Sequence, residues 1–274
     1  MMSTKMIYGT AWKGERTTQL VVSAFLQGFR AVDTACQPKH YREDLVGKAL
    51  ATLRDNHKIR REEIFIQTKY TPIGGQDVSK PLPFNPADPV RKQILSSFQT
   101  SLANLETSYL DSYLLHSPLS TLKQTLEAWC VLASLQDEGK VRKIGVSNVY
   151  DTALLETLSA ERQVQVIQNR WYEGNVWDRE VCKYCKENGI QYQSFWTLSG
   201  SPNLLSHPTV LEISHATGST PPQVIFKLAQ LQGITPLSGT TDRNHMQQDL
   251  AAELLVFHSE VASQVKSVAK LIWG

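Results

Sequence analysis

Short apolar runs alternate with longer stretches of helical period along the chain. MIYG opens as a strand. ERTTQLVVSAFLQGF then carries Leu20, Val21, Ala24 and Phe25 on one face and stops at Gly28. RAVDTA is the next strand and REDLVGKALATLRD the next helix. EEIFIQTK, with β-branched and aromatic residues, is a third strand. Residues 71–88, rich in proline and holding Gly74 and Gly75, predict a long loop of the kind that is usually functional. A helix over 89–105 and the strand YLDSYLLH follow.

The second half keeps the same alternation. LKQTLEAWCVLASLQDEGK precedes VRKIGVSN, TALLETLSA precedes QVQVIQN, and DREVCKYCKENG precedes IQYQSFW. PPQVIFKLAQLQG then precedes ITPLSG. Eight strand candidates with helices between them predict a closed (β/α)8 TIM barrel, an α/β fold that needs roughly 250 residues. An open doubly wound sheet calls for a glycine-rich first turn, and neither GxGxxG nor GxxxxGK[ST] is present. With no linker and no repeat, residues 1–274 read as one domain.

Bulk properties narrow the function classes. The net charge of +2 makes no electrostatic case for nucleic acid or an anionic membrane. No apolar run approaches the length of about 18 residues that a membrane helix needs. The first ten residues lack the apolar core of a signal peptide, so the cytoplasm is the expected compartment. Cys36, Cys130, Cys182 and Cys185 are too few for a disulfide framework in a chain this long. Cys182 and Cys185 form a CxxC, but zinc needs a second ligand pair and a redox pair needs a helix start. Both cysteines read as half-buried helix residues, and no metal is expected.

Candidate chemistry lies at the ends of the apolar runs. Asp33 ends AVD, Lys69 ends IFIQTK, His116 ends SYLLH, and Tyr41 falls in the loop after the second strand. A barrel gathers its strand C-termini on one face, so these four residues are expected to meet. Alone, each has an ordinary reading: a turn cap, an exposed lysine, a core histidine, a surface tyrosine. Together they make a proton donor. An ammonium beside a phenol is expected to lower its pKa from about 10. A carboxylate holds that ammonium, and an imidazole orients a substrate oxygen. Protonating an oxygen as charge develops on it is half of a carbonyl reduction. The other half is a hydride, which no side chain supplies, so a nicotinamide is implied.

At these residues the sequence resembles the aldo-keto reductase family across essentially its whole length. GFRAVDTACQPKHYREDLVGKAL is similar to that family's signature around its aspartate and tyrosine, IQTK to its lysine strand, and YLDSYLLHSP to its histidine strand. EGKVRKIGVSN and VIQN are similar to its amide-binding segments. The resemblance implies a tetrad of Asp33, Tyr41, Lys69 and His116, with Tyr41 the proton donor. It implies that Ser147, Asn148 and Gln168 hold the nicotinamide carboxamide and that Phe195 stacks on its ring, beside Trp196, with Thr10 and Leu198 as further cofactor contacts. Two departures stand out. Tyr41 lies eight residues after Asp33, where the family usually has five, because CQPKH intervenes. Leu237 replaces a lysine that often binds the 2′-phosphate of NADPH. Ser238, Gly239, Thr240 and Thr241 are then expected to bind phosphate through hydroxyls and the N–H groups of the next helix start, with charge from Arg243 and His245. Asp249 stands where an adenine-binding asparagine is usual. NADPH is the expected cofactor, with NADH the alternative.

Trp12, Tyr70, Phe84 and Trp171 are expected to wall the substrate pocket, with Pro118, Trp177 and Trp196 nearby. These aromatics favour an apolar carbonyl compound, and no arginine or lysine cluster points to an acidic or phosphorylated one. Many members of the family carry a longer tail than VASQVKSVAKLIWG provides, which implies an open site of broad specificity. The leading expectation is a reversible NADPH-dependent reductase of aldehydes or ketones, a monomer or weak oligomer without nucleic-acid or membrane partners. The alternative is a cofactor-binding regulatory or interaction protein with little turnover. An N-terminal extension would favour it, and none is expected with a strand beginning near Met6.

Overall fold

The computed structural model describes residues 5–274. Its strands are β1 (Ile7–Gly9), β2 (Ala31–Asp33), β3 (Phe65–Tyr70), β4 (Leu110–Leu115), β5 (Val141–Ser147), β6 (Val166–Arg170), β7 (Gln191–Phe195) and β8 (Thr235–Ser238). All pair in parallel in sequence order, and β8 closes on β1 through Ile7 opposite Leu237. The (β/α)8 barrel is therefore the observed architecture.

Helices α1 (Thr17–Gln27), α2 (Glu43–His57), α3 (Val90–Asn104), α4 (Leu122–Asp137), α5 (Thr152–Glu161) and α6 (Arg179–Glu187) follow the first six strands. Between β7 and β8 lie α7 (Pro202–Leu205), α8 (Pro208–Thr217) and α9 (Pro221–Leu231). After β8 come α10 (Arg243–Ala251) and α11 (Ala262–Trp273). Helices α7 and α8 add to the simple alternation read from the sequence. Each begins with a proline, whose fixed φ suits a first helical turn and whose missing N–H costs nothing there. The core lies between helices and barrel: Val46, Ala49, Leu50 and Leu53 of α2 and Ile94 and Phe98 of α3 are buried in one cluster with outward strand residues such as Ile66 and Tyr113. Gly47 lets α2 approach α3, because a Cβ there would lie 1.9 Å from the carbonyl oxygen of Asn104.

The pleat decides what faces the barrel axis. Gln67 and Lys69 point inward from β3, whereas Ile66, Thr68 and Tyr70 point out. Gln67 of β3 and Gln193 of β7 exchange amide hydrogen bonds of 2.6 and 3.0 Å across the barrel. Gln168 of β6 donates to the same Gln193 oxygen at 3.0 Å. This layer of amides, rather than aliphatic side chains, forms the floor beneath the strand ends. Among the described residues no helix is long and apolar enough to cross a membrane.

Candidate active site

Asp33, the last residue of β2, is the hub. Lys69 Nζ lies 2.7 Å from both of its carboxylate oxygens and 2.8 Å from the carbonyl of Thr34. Gln67 and Gln168 donate to Asp33 Oδ1 at 2.8 and 2.9 Å. Lys69 has no exposed surface. Burial pushes its ammonium pKa down, and the Asp33 carboxylate opposes that. Breaking such a pair strands a buried charge, at a cost of about 3–5 kcal/mol.

Tyr41 reaches this pair despite the long spacing. Residues 37–41 fold into a compact turn in which the N–H groups of His40 and Tyr41 both bond to the carbonyl of Gln37, at 3.3 and 3.1 Å. The 71–88 loop clamps that turn. Gln37 Nε2 donates to the carbonyl of Gly75 at 2.6 Å, and Gln76 Nε2 donates to the carbonyls of Cys36 and Thr71, both at 3.0 Å. The extra residues are absorbed, and the phenol returns to the site. Lys69 Nζ lies 5.4 Å from the centroid of the Tyr41 ring, and the His116 ring lies 5.8 Å away, edge to face. The Tyr41 hydroxyl has no hydrogen-bond partner among the described residues.

The electrostatics correct one expectation. Burial, and after it the neighbouring Asp33 carboxylate, push the Tyr41 pKa up, not down. The resting phenol therefore keeps its proton. His116 is pushed well below its ordinary value by burial, then by Lys69 and His40, and so is neutral. Its Nδ1 lies 2.7 Å from Thr71 Oγ1.

A cavity of about 940 Å³ opens over these groups. Asp33, Tyr41 and His116 line one end, Ser147, Asn148, Gln168, Phe195 and Trp196 the middle, and Leu198, Leu237, Gly239, Thr240, His245 and Asp249 the other end. Trp12 stands at the mouth, its ring tilted 37° against that of His40 with centroids 3.7 Å apart. Asn148 Nδ2 donates to the carbonyl of His116 at 2.9 Å, so β5 and β4 are tied at the site. Its φ of 56° and the φ of 60° at Trp196 turn both side chains over the strand ends.

The model of the Aldo/keto reductase family matches residues 5–202. The chain belongs to the aldo/keto reductase family. Among its relatives is "Uncharacterized oxidoreductase YtbE" of Bacillus subtilis (strain 168), 27% identical over 237 residues, 86% of this chain and 78% of the relative. Another is the "Glyoxal reductase" of the same strain, 28% identical over 225 residues, 82% of this chain and 73% of the relative. The fold is similar to that of a crystal structure of an aldo/keto reductase from Brucella melitensis, with a TM-score of 0.81 at 24% identity, covering 97% of this chain and 94% of that one.

Several expected contacts of this aldo/keto reductase lie elsewhere. Tyr70 follows the inward Lys69 and so points outward, where its hydroxyl meets Gln93 of α3 at 3.0 Å and its ring packs on Phe84. Trp171 follows the inward Arg170 and is buried against Trp273 of α11. None of these pocket candidates lines the cavity, nor do Pro118 and Trp177. Thr10 is buried, bonding from both N and Oγ1 to the carbonyl of Asp33, and braces β1 on β2. Ser238 points away and donates to Asp249 Oδ2 at 2.6 Å. Thr241 and Arg243 are off the cavity, and Arg243 reaches the amide oxygen of Gln27 at 2.8 Å. The start of α10 is already capped: Asp242 Oδ1 accepts from the N–H groups of Asn244 and His245 at 2.7 and 3.0 Å, which puts a carboxylate where phosphate was expected.

Two cationic residues missed in the sequence line the cavity, Lys13 and Arg170. Lys13 donates to the carbonyl of Gly239, and burial lowers its pKa to about 8. Strand alternation gave a signal for Arg170, which lies two residues beyond the inward Gln168.

Proposed function

We propose that this protein reduces an aldehyde or ketone to the alcohol, with Tyr41 as the proton donor and NADPH as the expected cofactor. The observation that carries the reading is the unpartnered Tyr41 hydroxyl, held beside the charge-balanced Asp33–Lys69 pair and the neutral His116, on one cavity. The curated relative named a glyoxal reductase supports the same class of chemistry.

The residues fit a nicotinamide dinucleotide. At about 940 Å³ the cavity is at the upper end of ordinary ligand sites and extends from the tetrad to β8. Phe195 offers a ring face, and Ser147, Asn148 and Gln168 offer hydrogen-bonding groups to a carboxamide. Asp249 and His245 stand at the far end. With Asp242 capping α10 and Arg243 turned to Gln27, His245 and Lys13 remain to meet a 2′-phosphate, an arrangement that NADH also fits. When bound, the nicotinamide supplies the hydride.

The chain's own groups supply the rest. With Thr71 donating to Nδ1, His116 carries its hydrogen on Nε2 and donates to the carbonyl oxygen, holding it near Tyr41. The phenol keeps its proton until negative charge develops on that oxygen and then gives it up. Lys69 stabilises the phenolate so formed, and Asp33 keeps Lys69 charged in spite of its burial. General acid catalysis of this kind contributes about 10²–10⁴ in rate.

The test is cofactor oxidation with glyoxal, methylglyoxal and a set of aromatic aldehydes and ketones, using NADPH and NADH, for the wild type and Tyr41→Phe. Turnover by the wild type is expected to fall at least about a hundredfold in the variant, with cofactor binding retained. Equal turnover in both proteins would remove Tyr41 from the chemistry.

A further inference from the structure

Arg170 ends β6 with its side chain on the cavity wall, and the mechanism above does not use it. Among the described residues six other arginines meet an acid, such as Arg61 and Arg142 at Asp111, Arg42 at Asp44 and Arg162 at Asp137. Arg16, Arg30, Arg91, Arg179 and Arg243 meet none, but none of these lines the cavity. Lys69 in the same site has Asp33. Arg170 has no carboxylate within ion-pairing distance among the described residues. Its Nε is buried without a partner, Nη1 reaches Asn148 Oδ1 at 3.5 Å, and the Tyr150 hydroxyl, which accepts from the Arg170 backbone N–H at 3.1 Å, lies beside the guanidinium.

The guanidinium is nonetheless well positioned. Its central carbon lies 4.7 Å from the centroid of the Trp196 ring and 5.5 Å from that of Phe195. Aromatic faces attract a cation but leave its in-plane N–H donors unused. A planar fork of donors, half buried and without an anion, matches the paired oxygens of a carboxylate or phosphate. Asn148 also bonds to the His116 carbonyl, so Arg170 is one residue removed from the imidazole that faces the reacting oxygen.

We propose that Arg170 is the anion anchor of this cavity, binding either a carboxylate on the carbonyl substrate or a phosphate of the dinucleotide. This rests on the reductase reading of the same site. The sequence holds no arginine or lysine cluster for an acidic substrate, and Arg170 acts as a single cation, not a cluster.

The experiment uses the 2-, 3- and 4-formylbenzoates, each with its methyl ester, which differ from one another chiefly in charge. Binding to the NADP+-saturated protein is measured by calorimetry, where no reduction can occur, and kcat/KM is measured with NADPH. The Kd for NADPH is measured separately by fluorescence titration. For a substrate carboxylate, the wild type favours at least one acid over its ester, and Arg170→Gln lowers that preference about tenfold or more with the NADPH Kd unchanged. For a cofactor phosphate, the same variant weakens NADPH about tenfold or more and leaves the acid-to-ester ratio alone. Either result supports the anchor and identifies its anion. Arg170→Lys keeps the charge but loses the fork; it is expected to give intermediate values and serves where Arg170→Gln does not fold. Acid-to-ester ratios and NADPH affinity both within about twofold of wild type would overturn the proposal. A wild type that binds acids but reduces neither acid nor ester would overturn the reductase reading and leave Arg170 as an anion site.

Discussion

Gln37 donates from Nε2 to the carbonyl of Gly75 at 2.6 Å, which ties the loop after β2 to the loop after β3. Gln76 adds one further bond across the same seam, to the carbonyl of Cys36, and one within its own loop, to that of Thr71. The long proline-rich loop thus braces the turn that carries Tyr41. Loosening the brace should misplace the phenol without touching the cofactor end of the cavity. Gln76→Ala is expected to lower kcat about tenfold while leaving the Kd for NADPH unchanged. Steady-state kinetics with a fluorescence titration checks both, and an unchanged kcat would mean that the 37–41 turn holds itself.

The resting phenol is pushed above its ordinary pKa by burial and by Asp33. Because reduction uses the protonated form, kcat at saturating substrate and cofactor should stay level as the pH rises toward about 10, the ordinary tyrosine value. An alkaline fall in kcat centred near 8, lost in Lys69→Met, would show instead that the ammonium dominates the phenol.

Asp178 is buried where the backbone runs left-handed, with φ of 54°, 53° and 48° at Val176, Trp177 and Asp178. Asn169 Nδ2 and Tyr192 Oη donate to its carboxylate at 2.8 and 2.7 Å, yet burial raises its pKa from 3.8 to about 6. A carboxyl raised in the folded state binds its proton more tightly there than in the unfolded chain. Its stabilising contribution is complete below about 4 and is lost as the pH rises through about 6. Asp178→Asn keeps an acceptor for both donors. It should gain on the order of 2 kcal/mol over the wild type at pH 7 and lose that advantage by pH 4. Urea unfolding of both proteins across that range is the measurement.

Gly47 sits where a Cβ would meet a backbone oxygen of α3 at 1.9 Å. The contact is to backbone, not to a flexible side-chain end, so α2 or the end of α3 must shift. Gly47→Ala is expected to destabilise by about 1–3 kcal/mol and to lower Tm by several degrees, as followed by thermal unfolding. An unchanged Tm would mean that the two helices have slack.

The alternation of apolar runs determined the barrel, because parallel strands with crossover helices close in only a few ways. It also determined that Asp33, Lys69 and His116 would share a face, since each ends an apolar run. These are local properties of period and position. The direction of a side chain at a strand end follows the pleat, so the outward Tyr70 and Trp171 and the inward Arg170 were legible from Lys69 and Gln168 by counting in twos. Only the tertiary structure decided the rest. The return of Tyr41 depends on Gln37, Gly75 and Gln76, which meet through hydrogen bonds between separate loops. The rise in the tyrosine's pKa depends on burial and on the Asp33 carboxylate beside it. That Arg170 lies among aromatic rings with no acid in reach depends on what β5 and β7 bring beside it. Spacing along a chain records none of these, because each is a distance between groups that the closed barrel alone brings together.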